Sequence, residues 1–239
     1  MVSVPERWQE FRASVPGKVF VLGEYLAMGG GPAVVATVPQ RFELKTSEQG
    51  EPVLSLFHPE SPAGRWCRRQ GGPEFESFEK KYLFVNPYEA GGLGGSTAEF
   101  GLVAALSQEL KVIDRDLALT LWAQYRALHP GPAPSGSDLL AQLLGGAWVV
   151  EWTEGETPQL EDVKSAFTKM KFLLFSGSHL ANRKTPTHEH LSQADLMSIW
   201  KKEERAFRKC VLLVLGLCMI RMGPVWGGRW WNTRSGFHH

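Results

Sequence analysis

The residues best suited to chemistry are a run of glycines with two hydroxyls, GGLGGST at 91–97, together with an isolated lysine, Lys18, and an isolated aspartate, Asp138. The run follows an expected strand and opens an expected helix. In that setting glycines let backbone N–H groups approach an anion closely, and the helix N-terminus adds its positive end. Gly92, Leu93, Gly94 and Gly95 would form the cradle. Ser96 and Thr97 offer hydroxyls to a phosphate oxygen, or Ser96 to Mg²⁺. Taken alone, the run reads equally well as a flexible turn between strand and helix. It is not a Walker A loop, because no Gly-Lys-Ser/Thr follows, and its spacing fails G-x-G-x-x-G. Asp138 begins a helix after a Ser-Gly turn, a position from which a carboxylate can accept a proton, or simply cap the helix. Lys18 stands at the mouth of an apolar strand, where it either assists a nearby acid or ends the strand in solvent.

The elements that must carry these groups follow from the hydrophobic pattern. Residues 18–22 and 33–38 read as short buried strands, 41–46 alternates as a half-exposed one, and 81–85 is a further strand leading into the glycine turn. Residues 97–110 set Leu102, Leu106 and Leu110 on one helical stripe beside Phe100 and Val103. Asp114 caps a second helix carrying Leu117, Leu121, Trp122, Tyr125 and Leu128. HPGPAPSG is a loop, DLLAQLL a short helix stopped by Gly145 and Gly146, and 147–152 a strand. The stretch from Glu48 to Glu79 reads as irregular, 171–176 as a strand and Ser192 to Lys209 as a helix. Strands and helices mixed without a regular βαβ period predict an α+β fold.

Composition narrows the class. The 239 residues are 43% hydrophobic and 21% charged, which excludes a disordered or collagen-like chain. A net charge of +1 supplies no field to gather nucleic acid or a membrane surface, so neither is expected as a partner. Cys67, Cys210 and Cys218 have no metal-ligand spacing and suit a reducing compartment, and the N-terminus lacks a signal-peptide pattern, so a cytoplasmic location is expected. The longest apolar run, 210–220, is shorter than a bilayer span. His188 and His190 have no third ligand near them in sequence.

Two further segments add to the glycine run. PGKVFVLGEY at 16–25 and PSGSDLLAQLLGG at 134–146, with GGLGGSTAEF between them, resemble in order the signature of the GHMP kinases, the galactokinase, homoserine kinase, mevalonate kinase and phosphomevalonate kinase superfamily. The resemblance covers about residues 14–190 and is nearest to the mevalonate and phosphomevalonate branch. It implies a two-layer α+β ATP-binding domain over 1–154 and a partial second domain over 155–204. It implies ATP and Mg²⁺ as cofactors, with the phosphates on 92–97 and Ser96 toward the metal. Asp138 would activate the acceptor with Lys18 assisting, and Glu24, Ser135 and Gly136 would line the substrate side. Arg183 and Thr185 resemble an Arg-x-Thr segment beside the substrate, which suits a small acidic molecule.

There are departures. The acid that helps hold Mg²⁺ in mevalonate kinases would fall near Ala127, yet no acid lies between Asp116 and Asp138. The C-terminal glycine motif is missing, and 205–239, basic and tryptophan-rich, reads as foreign to the fold, beside the alternative of a basic, aromatic surface for RNA or lipid. Hence the expectation of a small-molecule kinase stands beside a non-catalytic nucleotide- or metabolite-binding relative or a truncated remnant, and beside a sugar or homoserine kinase. Replacing Gly94 with valine is expected to remove nucleotide binding and leave the fold intact.

Overall fold

The computed structural model describes residues 12–46, 58–70, 82–88, 93–153, 155–168 and 198. Strand β1 (Arg12–Leu22) is followed by a short helix α1 (Glu24–Met28), and strand β2 spans Ala33–Thr46. Helix α2 (Pro62–Gln70), strand β3 (Tyr82–Val85) and helices α3 (Gly95–Ser107), α4 (Arg115–Ala127) and α5 (Ser137–Leu144) follow. Strand β4 (Ala147–Glu151), strand β5 (Gln159–Asp162) and the single turn α6 (Lys164–Phe167) complete the described part. The α+β class expected from the pattern is the one observed.

All strand pairings among the described residues are antiparallel. β1 lies along one edge of β2, and the other edge of β2 is divided between β4, opposite Ala33–Ala36, and β3, opposite Glu43–Thr46. β5 extends the sheet beyond β4. The two strands expected at 33–38 and 41–46 are one continuous strand. Pro39 interrupts the apolar pattern, but the chain passes it with a register shift opposite Pro16 and Gly17 rather than a turn.

Alternation along β2 and β4 separates two faces. Ala33, Val35, Trp148 and Val150 join the core beneath α4 and α5, whereas Val34, Ala147 and Val149 join Val163 on the opposite face. Helix α3 departs from the stripe expected of it. Ala98, Phe100, Gly101, Leu102, Val103, Ala104, Ala105 and Leu106 are all buried, so apolar residues surround it and it is a central helix. One covering element was not visible as a periodic pattern. Helix α2 lies inside the stretch read as irregular, and it packs Trp66 edge-on against Phe100 (5.7 Å between ring centres) while Trp66 Nε1 donates to Ser107 Oγ at 3.1 Å. Among the described residues no helix is long and apolar enough to cross a membrane.

Candidate functional site

Leu93 and Gly94 of the glycine run, the first turn of α3, the middle of β1 and the start of α5 meet at one place. Lys18 is on β1, and its backbone N–H donates to the Leu93 carbonyl at 3.0 Å, fastening the glycine turn to the strand. Gly94 is the N-cap of α3 at φ 89°, ψ 30°, a left-handed conformation that glycine adopts without strain. It has no side chain with which to cap the first N–H groups of α3, so the N–H groups of this first turn keep their capacity for an anion. Ser96 is exposed on that turn, and Thr97 is buried.

Asp138 sits in the first turn of α5, but the N-cap is Gly136, so the capping alternative for the aspartate is set aside. Its Oδ1 accepts from the Leu139 N–H at 3.0 Å, and its Oδ2 lies 3.9 Å from Lys18 Nζ. The Lys18 side chain is 9% exposed and that of Asp138 23%, so the lysine does not end the strand in solvent. Its ammonium also stands 4.4 Å from the Phe20 ring centre. A buried ammonium thus faces a partly buried carboxylate across 3.9 Å.

Two residues that motif reading passed over complete the arrangement. Gln142, 2% exposed, donates from Nε2 to the Pro16 carbonyl (2.9 Å) and the Gly94 carbonyl (3.2 Å), and its Oε1 accepts from Thr97 Oγ1 at 2.6 Å. It lies four residues after Asp138 on the same face of α5, a spacing legible in the sequence. Tyr125, on α4, is buried, and its hydroxyl is raised well above the ordinary range, first by burial and then by the Asp138 charge. The place near Ala127 where a metal-holding acid was sought is instead the exposed end of α4, where the Ala127 carbonyl accepts from Arg69 at 2.7 Å.

The other expected site residues fall as follows. Ser135 is buried in the loop before α5, where its carbonyl accepts from Trp122 Nε1 at 2.7 Å, and Gly136 follows it. Glu24 is exposed at the start of α1, after Gly23 in the left-handed region. Gly92, Arg183, Thr185, His188 and His190 lie outside the described residues, as do the strand expected at 171–176, the helix expected from Ser192 and the segment 205–239. The expectation for Gly94→Val is corrected. A Cβ at Gly94 would stand 2.9 Å from both Gln142 Nε2 and Lys18 Cγ, in a conformation a side chain rarely adopts, so the substitution strains the fold as well as the site.

The donor set suits a polyphosphate. A helix N-terminus, an exposed hydroxyl and an ammonium all favour anionic oxygens. For a metal the set is thin: among the described residues no group of three or more His, Cys, Asp or Glu is placed to hold an ion. Mg²⁺ nevertheless needs only one or two protein oxygens when phosphates supply the rest, and Ser96 and Asp138 are the oxygens at hand.

No protein-family model matches this chain, and no curated protein sequence matches it. Solved structures do. One is a Lin0012 protein from Listeria innocua, 15% identical with a TM-score of 0.50, the match covering 88% of this chain and 76% of that one. Streptococcus pneumoniae phosphomevalonate kinase, 14% identical with a TM-score of 0.46, is matched over 64% of this chain and 57% of that chain. Mevalonate kinase from L. major, 14% identical with a TM-score of 0.43, is matched over 92% of this chain and 76% of that one. The chain spans less than two thirds of the length of the phosphomevalonate kinase it resembles. At such identities the likeness is one of fold.

Proposed function

We propose that the protein is an ATP-dependent small-molecule kinase that transfers the γ-phosphoryl group to a hydroxyl or phosphate oxygen of a small acidic substrate of the mevalonate or phosphomevalonate type. The observation that carries this reading is the buried Lys18 ammonium 3.9 Å from Asp138 Oδ2, beside a helix N-terminus formed by a glycine turn. Phosphoryl transfer needs little covalent chemistry from a protein. It needs the phosphates held, their charge offset and the acceptor oriented. Bound ATP with Mg²⁺ supplies the transferable group and the electrophilic phosphorus.

The chain's own residues do the rest. The first turn of α3 and Ser96 bind phosphate oxygens. Lys18 faces the Asp138 carboxylate and offsets negative charge on the transferred group. Where the acceptor is a hydroxyl, Asp138 Oδ2 accepts its proton as the acceptor oxygen bonds to phosphorus and the bond to ADP breaks. Ser135, Gly136 and Glu24 are assigned to the acceptor side, and the Arg183 and Thr185 pair is assigned to the acidic group of the substrate.

ADP release with ATP–Mg²⁺ and, in turn, mevalonate, phosphomevalonate, galactose and homoserine tests the reading. Acceptor-dependent ADP formation with one of the first two is the expected result. ATP binding with no acceptor-dependent turnover would replace the kinase with a nucleotide-binding relative, and turnover with galactose or homoserine alone would move the substrate to another branch.

A further inference from the structure

Thr97 Oγ1 has one proton and three acceptors within reach: Gln142 Oε1 at 2.6 Å, the Gly94 carbonyl at 3.0 Å and Asp138 Oδ2 at 3.5 Å. Which acceptor receives it decides what Asp138 can do, because a carboxylate oxygen that already accepts a strong hydrogen bond is a poorer base. The orientation of the Gln142 amide settles the question. Pro16 and Gly94 present only carbonyl oxygens, so the Gln142 nitrogen must face them, at 2.9 and 3.2 Å, and its oxygen must face Thr97. The Gly94 carbonyl is already committed, since it accepts from the Ala98 N–H at 2.9 Å as well as from Gln142. Of the two remaining acceptors Gln142 Oε1 is the nearer, at 2.6 Å against 3.5 Å for Asp138 Oδ2.

From this geometry we infer that Gln142 is a positioning residue for the phosphoryl transfer: it takes the Thr97 proton, so that Asp138 Oδ2 faces Lys18 and the acceptor with no hydroxyl donating to it, and the same amide ties the strand of Lys18 and the glycine turn to the helix of Asp138. Its three contacts reach Pro16, Gly94 and Thr97, two of them across 126 and 48 residues of sequence. An amide is the side chain that does this, since it offers donors on one side and an acceptor on the other. Gln142 touches neither reacting atom, and its effect passes through Thr97 and Asp138. The inference rests on the kinase reading for its consequence, but its central statement concerns one proton and is testable without turnover.

The test follows the Asp138 carboxyl carbon and the Gln142 side-chain carbonyl carbon by ¹³C NMR at one fixed pH in the full chain, with the resonances assigned by their loss in Asp138→Asn and Gln142→Leu. Thr97→Val should shift the Gln142 resonance and leave that of Asp138 in place, because the hydroxyl it removes was bonded to the amide oxygen. A shifted Asp138 resonance with that of Gln142 unmoved would overturn the inference. Gln142→Glu gives the second arm. Protonated, the introduced carboxyl keeps a donor and an acceptor. Ionised, it faces two carbonyl oxygens, so the single-turnover rate should fall at least about tenfold as pH rises through its titration, relative to the unsubstituted protein. Parallel profiles would overturn the positioning role, and melting curves at each pH separate loss of fold from loss of rate. An unsubstituted protein that turns over no acceptor would defeat the kinase reading while the Thr97→Val spectra still decide the proton's place.

Discussion

The described part of the molecule holds two lysine–aspartate pairs of similar span and different meaning. Lys164 and Asp162 approach to 3.6 Å with side chains 44% and 48% exposed, and Lys18 and Asp138 stand farther apart, at 3.9 Å, with side chains 9% and 23% exposed. The closer pair belongs to a turn. Asp162 Oδ1 accepts from the Lys164 N–H at 2.8 Å as the chain passes from β5 into α6, and the lysine stem crosses Gly146 with its ammonium 5.2 Å from the Trp148 ring centre. The wider pair is surrounded by a glycine turn, a buried amide and a helix start. Distance alone does not mark a working site. What separates the two is the cost of keeping the charges out of water, and what else is aimed at the same point.

That contrast breaks first, and most visibly, at the aspartates. Asp138→Asn should lower turnover by about 10²-fold to 10⁴-fold with ATP affinity nearly unchanged, as for a lost general base. Asp162→Asn should leave turnover as it was. Equal loss of ATP affinity and turnover in Asp138→Asn would mark a metal ligand, and unchanged turnover would reduce Asp138 to a structural acid. Among the lysines, Lys18→Met should cost roughly 10²-fold to 10³-fold in turnover, the scale of one preorganised charge donor. For Lys164→Met the expectation is no kinetic effect and a stability change below about 1 kcal/mol that vanishes in 0.5 M salt.

The glycines beside each pair sharpen the same distinction. Gly94→Ala should destabilise the protein by about 1–3 kcal/mol in thermal melts and weaken nucleotide binding, since its Cβ meets Gln142 and Lys18 at 2.9 Å. Gly145 has φ 67° and ψ 160°, but no atom lies within 4 Å of a Cβ built there, so Gly145→Ala should cost about 1–3 kcal/mol through backbone strain alone and leave nucleotide binding unchanged.

A smaller effect is expected from Glu99, two residues after Thr97. Burial raises its carboxyl to about 7, against a partial lowering by a hydrogen bond with Ser61. The folded chain then holds a proton that the unfolded chain releases near pH 4.5, so stability falls as pH rises from about 4.5 to about 7. Glu99→Gln should flatten that slope in melts at pH 5 and pH 8, with a gain of roughly 1–3 kcal/mol at the higher pH. An unchanged slope would place the titrating group elsewhere.

Much of the scaffold was legible because it rests on local signals. Asp114 caps α4, its side chain accepting from the Leu117 N–H at 2.9 Å, as the Asp followed by helical spacing requires. Gly145 and Gly146 end α5 where glycines should. Lys18 and Asp138 were reached through motif order and do face one another. Helix α2 was missed because its buried side, with Ala63, Trp66 and Cys67, is short and interleaved with arginines. α1 and β5 are too brief to show a period. The roles of Gln142 and Tyr125 are a different matter. Both sit on faces that periodicity assigns to the core, and nothing along the chain distinguishes a buried amide that braces a site from one that merely satisfies a carbonyl.

The long reach of those contacts bears on how the protein folds. β1 completes its site only when Gln142 reaches back 126 residues to Pro16, and Gly146 returns 109 residues to bond Thr37. A nascent chain that has emerged only as far as α4 has β1 and β2 but lacks both the β4 edge and the α5 brace. Loop closure over such separations is entropically costly and slow, so the site should form in the last steps of folding. Until then the apolar edge Ala33–Ala36 of β2 has no β4 to cover it, and that edge is where premature association between nascent chains should begin.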